Sequence, residues 1–283
     1  EGSPISVRWR AHEGEHWVEL AQQRMEVVGA APFRLVAAAP SRVRADAHVA
    51  LRVRIEDRWG NPASLAGPVR LAVSHPGAAG VRAALLPVES FAAIDIGPVA
   101  EGTVRVSVAA PELGLSCTSN PIECRARPRG KNVYWADLHA QSVIGCGARS
   151  IDAYYAHARD FAAMDACSHQ ANCFLVSQEE WDETIRSSRA NHRPHEFVPF
   201  LGFEWSAASA LGGDHNVYFP ADDGELRRCS HEFVRDRSDA GQDLPHVEDF
   251  YRHYRRSAPL VAVHVGGRTA NLAWHDAALE RLL

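Results

Sequence analysis

The sequence predicts a multidomain chain: an antiparallel β-sandwich of the immunoglobulin kind, followed by a domain of alternating strands and helices, a parallel barrel or sheet. Three observations predict it. The chain has 283 residues, 46% of them hydrophobic, enough for roughly two domains. Its first part alternates apolar and charged residues with a period of two, between Pro and Gly turns. Its second part alternates strand-like with helix-like patterns.

Residues 1–32, which contain "VRWRAHEGEHWVEL", either add strands to the sandwich or belong to a preceding module. From 33 to 127 the texture is β. "HVALRVRIEDRWGNP" sets Val49, Leu51, Val53 and Ile55 against Arg52, Arg54 and Glu56, then closes on a Gly-Asn-Pro turn. An extended chain sends successive side chains to opposite faces, so the four apolar residues predict one buried face. "GTVRVSVAA" repeats the alternation with Val104, Val106 and Val108. The basic stretch "RARPRGKN" (125–132), with its Pro and Gly, marks the boundary between domains.

The second domain is expected over 131–283. "VYWADLH" reads as a strand, and "SIDAYYAHARDFAAM" as a helix with Ile151, Tyr154, Tyr155, Ala158, Phe161 and Ala162 on one face. "MDACSH" is a short strand, and Ser177 with Glu180 forms a capping box that opens the helix "QEEWDETIRSSRA". "FVPFLGFEWS" and "HNVYF" are strands. "PHVEDFYRHYRR" is a helix with Pro245 in its first turn, and "APLVAVHVGG" is a last strand. The tyrosines 154, 155, 251 and 254 fall at helical spacing and are expected to pack.

The net charge is −5, with 30 basic residues scattered among 35 acidic ones, so no single-sign field points to nucleic acid or to a membrane surface. No apolar run reaches the roughly 18 residues of a membrane span, and the start lacks the apolar core of a signal peptide. Six cysteines (117, 124, 146, 167, 173 and 229) are widely spread, which suits free thiols in a reducing, cytoplasmic compartment. The first residue is not methionine and "DAALERLL" reads as a helix in mid-course, so the sequence is expected to be part of a longer protein.

Eleven of the fifteen histidines follow residue 130. His139, His169, Glu204 and His264 each close an apolar run. In parallel α/β barrels the carboxyl ends of the strands share one face, where donors far apart in sequence converge. A divalent metal requires imidazole and carboxylate donors on rigid supports, with positions left for water or substrate. Any one of these histidines alone is more simply a satisfied residue at a core margin; four strand ends together favour a metal cluster. Asp137 lies two residues before His139 and is expected either to orient it or to be a surface carboxylate. Arg268, just past "HVGG", is more simply a solvated loop arginine, the alternative being that it clamps an anionic substrate oxygen. His157, His231 and His253 are expected in solvent. "GCG" (145–147) is too short to cradle a phosphate, and neither a Walker sequence nor a Gly-x-Ser-x-Gly elbow occurs.

The segments "YWADLHAQS" (134–142), "DACSHQAN" (165–172), "GFEWS" (202–206), "GGDHNVYF" (212–219) and "AVHVGGR" (262–268), taken in order, resemble the PHP (polymerase and histidinol phosphatase) metallohydrolases. The resemblance covers residues 133–275 and is greatest to a branch in which a β-sandwich precedes the barrel; "TSNPI" (118–122) resembles the end of that sandwich. It implies a distorted (β/α)7 barrel holding one to three divalent ions (Zn, Mn or Fe) and hydrolysing phosphate esters or related bonds of a small, anionic substrate. It implies His139, His169, Glu204, His215 and His264 as metal ligands.

Two positions depart from the family pattern. Gln141 stands where a second histidine is usual, and Ser168 where an aspartate precedes His169. Both are neutral, weaker donors, and Gln141 is expected to touch the metal or its water. The closing elements of the family, with a late Asp-x-His pair, would follow Leu283, so the barrel is expected to be incomplete. The competing expectation is a non-catalytic binding or scaffolding protein whose degenerate barrel keeps at most one structural metal.

Overall fold

A computed structural model describes residues 28–127, 130–257 and 259–264, together with the backbone of four two-residue strands near the start: β1 (Pro4–Ile5), β2 (Arg8–Trp9), β3 (Val18–Glu19) and β4 (Gln23–Arg24). β1 pairs with β4 and β2 with β3. The chain divides into two compact units, Glu1–Asn132 and Val133–Leu283.

The first unit continues with β5 (Arg34–Ala38), β6 (Arg42–Arg44), β7 (Ala50–Glu56), β8 (Val69–Ser74), β9 (Arg82–Leu86), β10 (Phe91–Asp95), β11 (Gly102–Val104), β12 (Ser107–Ala110), β13 (Leu115–Thr118) and β14 (Ile122–Arg125). The alternation read from the sequence is the alternation observed. Val49, Leu51, Val53 and Ile55 are buried, as are Val104, Val106 and Val108, and all join one apolar cluster. Burying each such side chain stabilises the fold by about 2 kcal/mol. Glu56 is buried in the same strand, and its carboxylate is held by the guanidinium groups of Arg34 and Arg54.

The expected immunoglobulin-like sandwich of antiparallel sheets needs correction. The strands form three sheets, ordered β10-β7-β5, β13-β12-β8-β9 and β11-β14-β6, and β6 runs parallel to β14. The cause is visible at Asn120. Its side-chain amide accepts from the backbone N–H of Ala39 at 2.8 Å and donates to the Ala39 carbonyl at 2.9 Å. Both backbone groups that would extend β5 are thereby used, and the chain restarts as β6 beside β14.

In the second unit, β15 (Ala136–Ala140), β16 (Ala166–His169) and β17 (Val198–Phe200) form a parallel sheet. The crossovers are α1 (Ile151–Ala156), which runs on through a π-type turn to Phe161, and α2 (Gln178–Asn191). The capping box forms as expected: Ser177 Oγ accepts from Glu180 N at 3.3 Å, and the Glu180 carboxylate accepts from Ser177 N at 2.7 Å. A second sheet then follows, from β18 (Gly202–Ser206), β19 (Asp214–Tyr218) and, after α3 (Val247–Tyr254), β20 (Leu260–Val263); all its pairings are antiparallel.

The incomplete (β/α)7 barrel implied by the resemblance is therefore not the fold. Among the described residues the unit holds two small sheets and three α-helices, with no closed barrel. Parallel neighbours need a crossover of a dozen or so residues, whereas β18 and β19 are joined by residues 207–213 alone. Gly212 (φ 128°) and Gly213 (φ 76°) occupy the left-handed region that lets the chain reverse into a hairpin.

The long segment 219–246 has no strand or α-helix and is anchored by charge. His231, expected in solvent, is buried: its Nε2 lies 2.8 Å from Asp239 Oδ1 and its Nδ1 2.8 Å from Asp243 Oδ2. Arg228, also buried, donates to Asp239 Oδ2 at 2.6 Å and to the Val176 carbonyl at 2.7 Å. No helix among the described residues is long and apolar enough to cross a membrane.

All six cysteines are free thiols, and Cys146 alone is exposed. Burial pushes the half-buried Cys117 up to about 11 and Cys167 up to about 12, which removes the reactive thiolate at neutral pH. Ellman's reagent is therefore expected to titrate one thiol rapidly in the native chain and the other five only after denaturation. A second fast thiol would contradict this packing.

Candidate metal centre

Three of the side chains singled out in the sequence meet. His139 is the penultimate residue of β15, Glu204 sits in the middle of β18, and His264 follows β20; one donor atom from each lies within 4.8 Å of the others. His139 Nε2 is 3.9 Å from Glu204 Oε2, and the two imidazoles stack with centroids 4.0 Å apart. Glu204 is buried and His264 exposed, while the His139 side chain retains 33% of its exposure. The centre therefore opens outward from a buried carboxylate.

Strand register explains the convergence. Glu204 pairs across the hairpin with Asn216, and His264 donates its backbone N–H to the Asp214 carbonyl at 3.0 Å. Alternate residues share a face, so Glu204, Asn216 and His264 lie on one side of the second sheet. Asn216 Oδ1 stands 3.0 Å from His139 Nδ1. A carbonyl oxygen only accepts, so Nδ1 is the donor in this contact, and Nε2 is the nitrogen turned toward Glu204. Asp137, expected to orient this ring, instead accepts the backbone N–H of His139 at 3.1 Å.

Asn172 fixes the carboxylate. Its Nδ2 donates to Glu204 Oε2 at 2.8 Å and to Ser206 Oγ at 2.9 Å, and its Oδ1 accepts from Gln141 Nε2 at 2.9 Å. Gln141 Oε1 in turn accepts the Cys146 backbone N–H at 2.7 Å. Both ends of the Gln141 amide are thus engaged with protein groups, and through Asn172 they brace Glu204. Gly145, at φ 111°, makes this possible, because any Cβ there would collide with Gln141 Oε1.

His169 and His215 are not brought to the centre. His169 Nε2 accepts from Ser142 N at 3.1 Å and meets Ser142 Oγ at 2.9 Å, inside the unit. His215 is one residue out of phase with Asn216, so it faces the opposite side of the sheet. There it packs against Trp205, Phe250 and Tyr251, with Nδ1 3.4 Å from the Gly213 carbonyl. Ser168 Oγ donates to the Phe200 carbonyl at 3.0 Å. Arg268 lies outside the described residues. Asn172 and Asn216 were not singled out in the sequence; the only signal for Asn216 is its position opposite Glu204 once the hairpin register is known.

Burial pushes His169 and His215 each down to about 4 from an ordinary 6.5. His264 is lowered by burial and then by the neighbouring His139. For the two buried rings the unfolded chain binds protons that the folded chain refuses. Their stabilisation is complete above about pH 6.5 and is lost as pH falls through the folded value near 4, on the order of 3 kcal/mol each. Urea midpoints are expected to fall steadily between pH 7 and pH 4.5, and His215→Leu is expected to flatten that slope. An unchanged slope in the variant would remove His215 as its source.

A family model described as "Protein of unknown function (DUF3604)" matches residues 148–266, a span that contains Glu204, Asn172, Asn216 and His264 and begins after His139. No curated protein matches the chain.

Proposed function

We propose that the second unit is a metal-dependent hydrolase centre, acting on a phosphoester or related bond, that holds one divalent ion on His139, Glu204 and His264. The observation that carries this reading is the approach of three donors, drawn from a span of more than a hundred residues, to within 4.8 Å of one another. Two imidazoles and a carboxylate are the donor set of hydrolytic zinc sites that keep a position for water or substrate, and the ordered motifs that resemble the PHP metallohydrolases support the same chemistry.

A divalent ion, when bound, supplies Lewis acidity that acidifies water and polarises the scissile ester. The chain's own residues set the conditions. Asn216 fixes the His139 tautomer, Asn172 holds one oxygen of Glu204, and the depressed His264 stays neutral at pH 7. The buried positions of His169 and His215, and the engaged amide of Gln141, favour a count of one ion.

The same three observations favour a second reading, a binding or scaffolding protein with one structural ion. The test is hydrolysis of phenyl phosphate by the full chain after chelation and after return of Zn, Mn or Fe, with anomalous scattering at each metal edge to locate the ion. One ion at the three donors with metal-dependent turnover supports the hydrolase. An ion there without turnover leaves the scaffold, and an ion elsewhere overturns both.

A further inference from the structure

Two residues beyond Glu204, β18 ends against a cavity of about 230 Å³ lined by Ser206, Ala207, Ala208, Leu211, Cys229 and Glu232, with Ser230 and Pro245 completing it. Ser206 and Glu204 are alternate residues of one strand, so they share a face and stand roughly 7 Å apart along it. One side-chain amide joins them, because Asn172 Nδ2 donates to both Glu204 Oε2 and Ser206 Oγ. The cavity is therefore next to the proposed ion centre.

Its walls select by size and charge. An apolar cavity of about 150 Å³ suffices to hold benzene, so this one has room for a single ring or a branched alkyl group. Ala207, Ala208, Leu211 and Pro245 are apolar. Cys229 spends its thiol proton on the Ser206 carbonyl at 2.7 Å and contributes bulk without charge. Glu232 is the one acidic residue at its wall, and among the described residues no lysine or arginine lines it. A phosphate finds no cationic partner here among the described residues, whereas an apolar group meets apolar walls.

We propose that this cavity receives the compact, uncharged apolar group of the substrate, an aromatic ring or branched alkyl chain, so that the anionic end of the ester faces His139, Glu204 and His264. The orientation rests on the hydrolase reading; occupancy of the cavity does not.

The two are separated by measuring binding and turnover on the full chain. Ligand-observed NMR with benzyl alcohol reports the cavity alone. Phenyl phosphate against methyl phosphate reports the orientation. Leu211→Trp fills the cavity from a half-buried position, and Ala208→Phe does so from an exposed one should the first fail to fold. Each is expected to weaken benzyl alcohol binding and raise KM for phenyl phosphate by at least about tenfold, with methyl phosphate turnover unchanged. Benzyl alcohol that fails to bind the native chain, or binds the filled variants equally well, overturns the proposal. Absence of turnover with benzyl alcohol still bound and still displaced by Leu211→Trp overturns the hydrolase reading and the orientation, while the cavity assignment stands.

Discussion

Glu204→Gln is expected to abolish ion binding while leaving the fold intact. Glutamine matches glutamate in shape, and Asn172 and the β18 backbone continue to hold it, so the thermal midpoint of the metal-free chain should stay within a few degrees. The lost charge matters at the centre alone. Changing a residue that merely orients a ligand costs 10- to 100-fold in metal affinity, so removing the buried carboxylate itself is expected to cost at least about 100-fold, with a matching loss of any metal-dependent turnover. Titration of the apo variant with zinc by calorimetry measures this directly. An affinity within a few-fold of the native chain would show that the ion, if bound, lies elsewhere. Asn172→Ala offers an internal scale, because it leaves the charge and removes the hydrogen bond to Glu204 at 2.8 Å together with those to Ser206 and from Gln141.

The largest effect on stability is expected from His231→Ala. The ring sits between Asp239 and Asp243 at 2.8 Å on either side, and Arg228 shares Asp239 with it. Removing the buried ring leaves Asp239 to Arg228 alone and Asp243 without this partner, which costs on the order of 3 kcal/mol. For a unit of this size that corresponds to a fall of about 10 °C in the thermal midpoint. The exposed His192→Ala should change it by less than about 0.5 kcal/mol. Protease sensitivity should appear first in 219–246, since that segment has no strand or α-helix and relies on this network. Comparable midpoints for the two variants would mean that the network contributes nothing measurable.

Local rules carried far in this sequence. Period-two alternation located the buried face of β7, and the Ser177–Glu180 pair located the start of α2, because each depends on residues a few positions apart. His139, Glu204 and His264 were legible as donors closing apolar runs. What failed depended on pairing partners that no local pattern specifies. The order of strands and helices suggested parallel neighbours throughout, but the seven residues from Ala207 to Gly213 permit only a hairpin. That reversal also decides His215. A shift of one residue changes the face, so His215 and Asn216 trade places between a ligand and a brace according to a register invisible before the hairpin is known. His231 was hidden for a related reason: its partners Asp239 and Asp243 lie in a segment with no periodicity to read.

His139 reaches the centre from the parallel sheet, whereas Glu204 and His264 arrive with the antiparallel one. A cation shared among them would act as a clasp between the two sheets, cross-linking parts of the unit far apart in sequence much as a disulfide does. At a hundredfold excess over its dissociation constant it would contribute about 2.7 kcal/mol. Loading the centre should thus raise the melting temperature of the native chain and leave that of Glu204→Gln unmoved, so heat alone can reveal the clasp without any knowledge of the substrate.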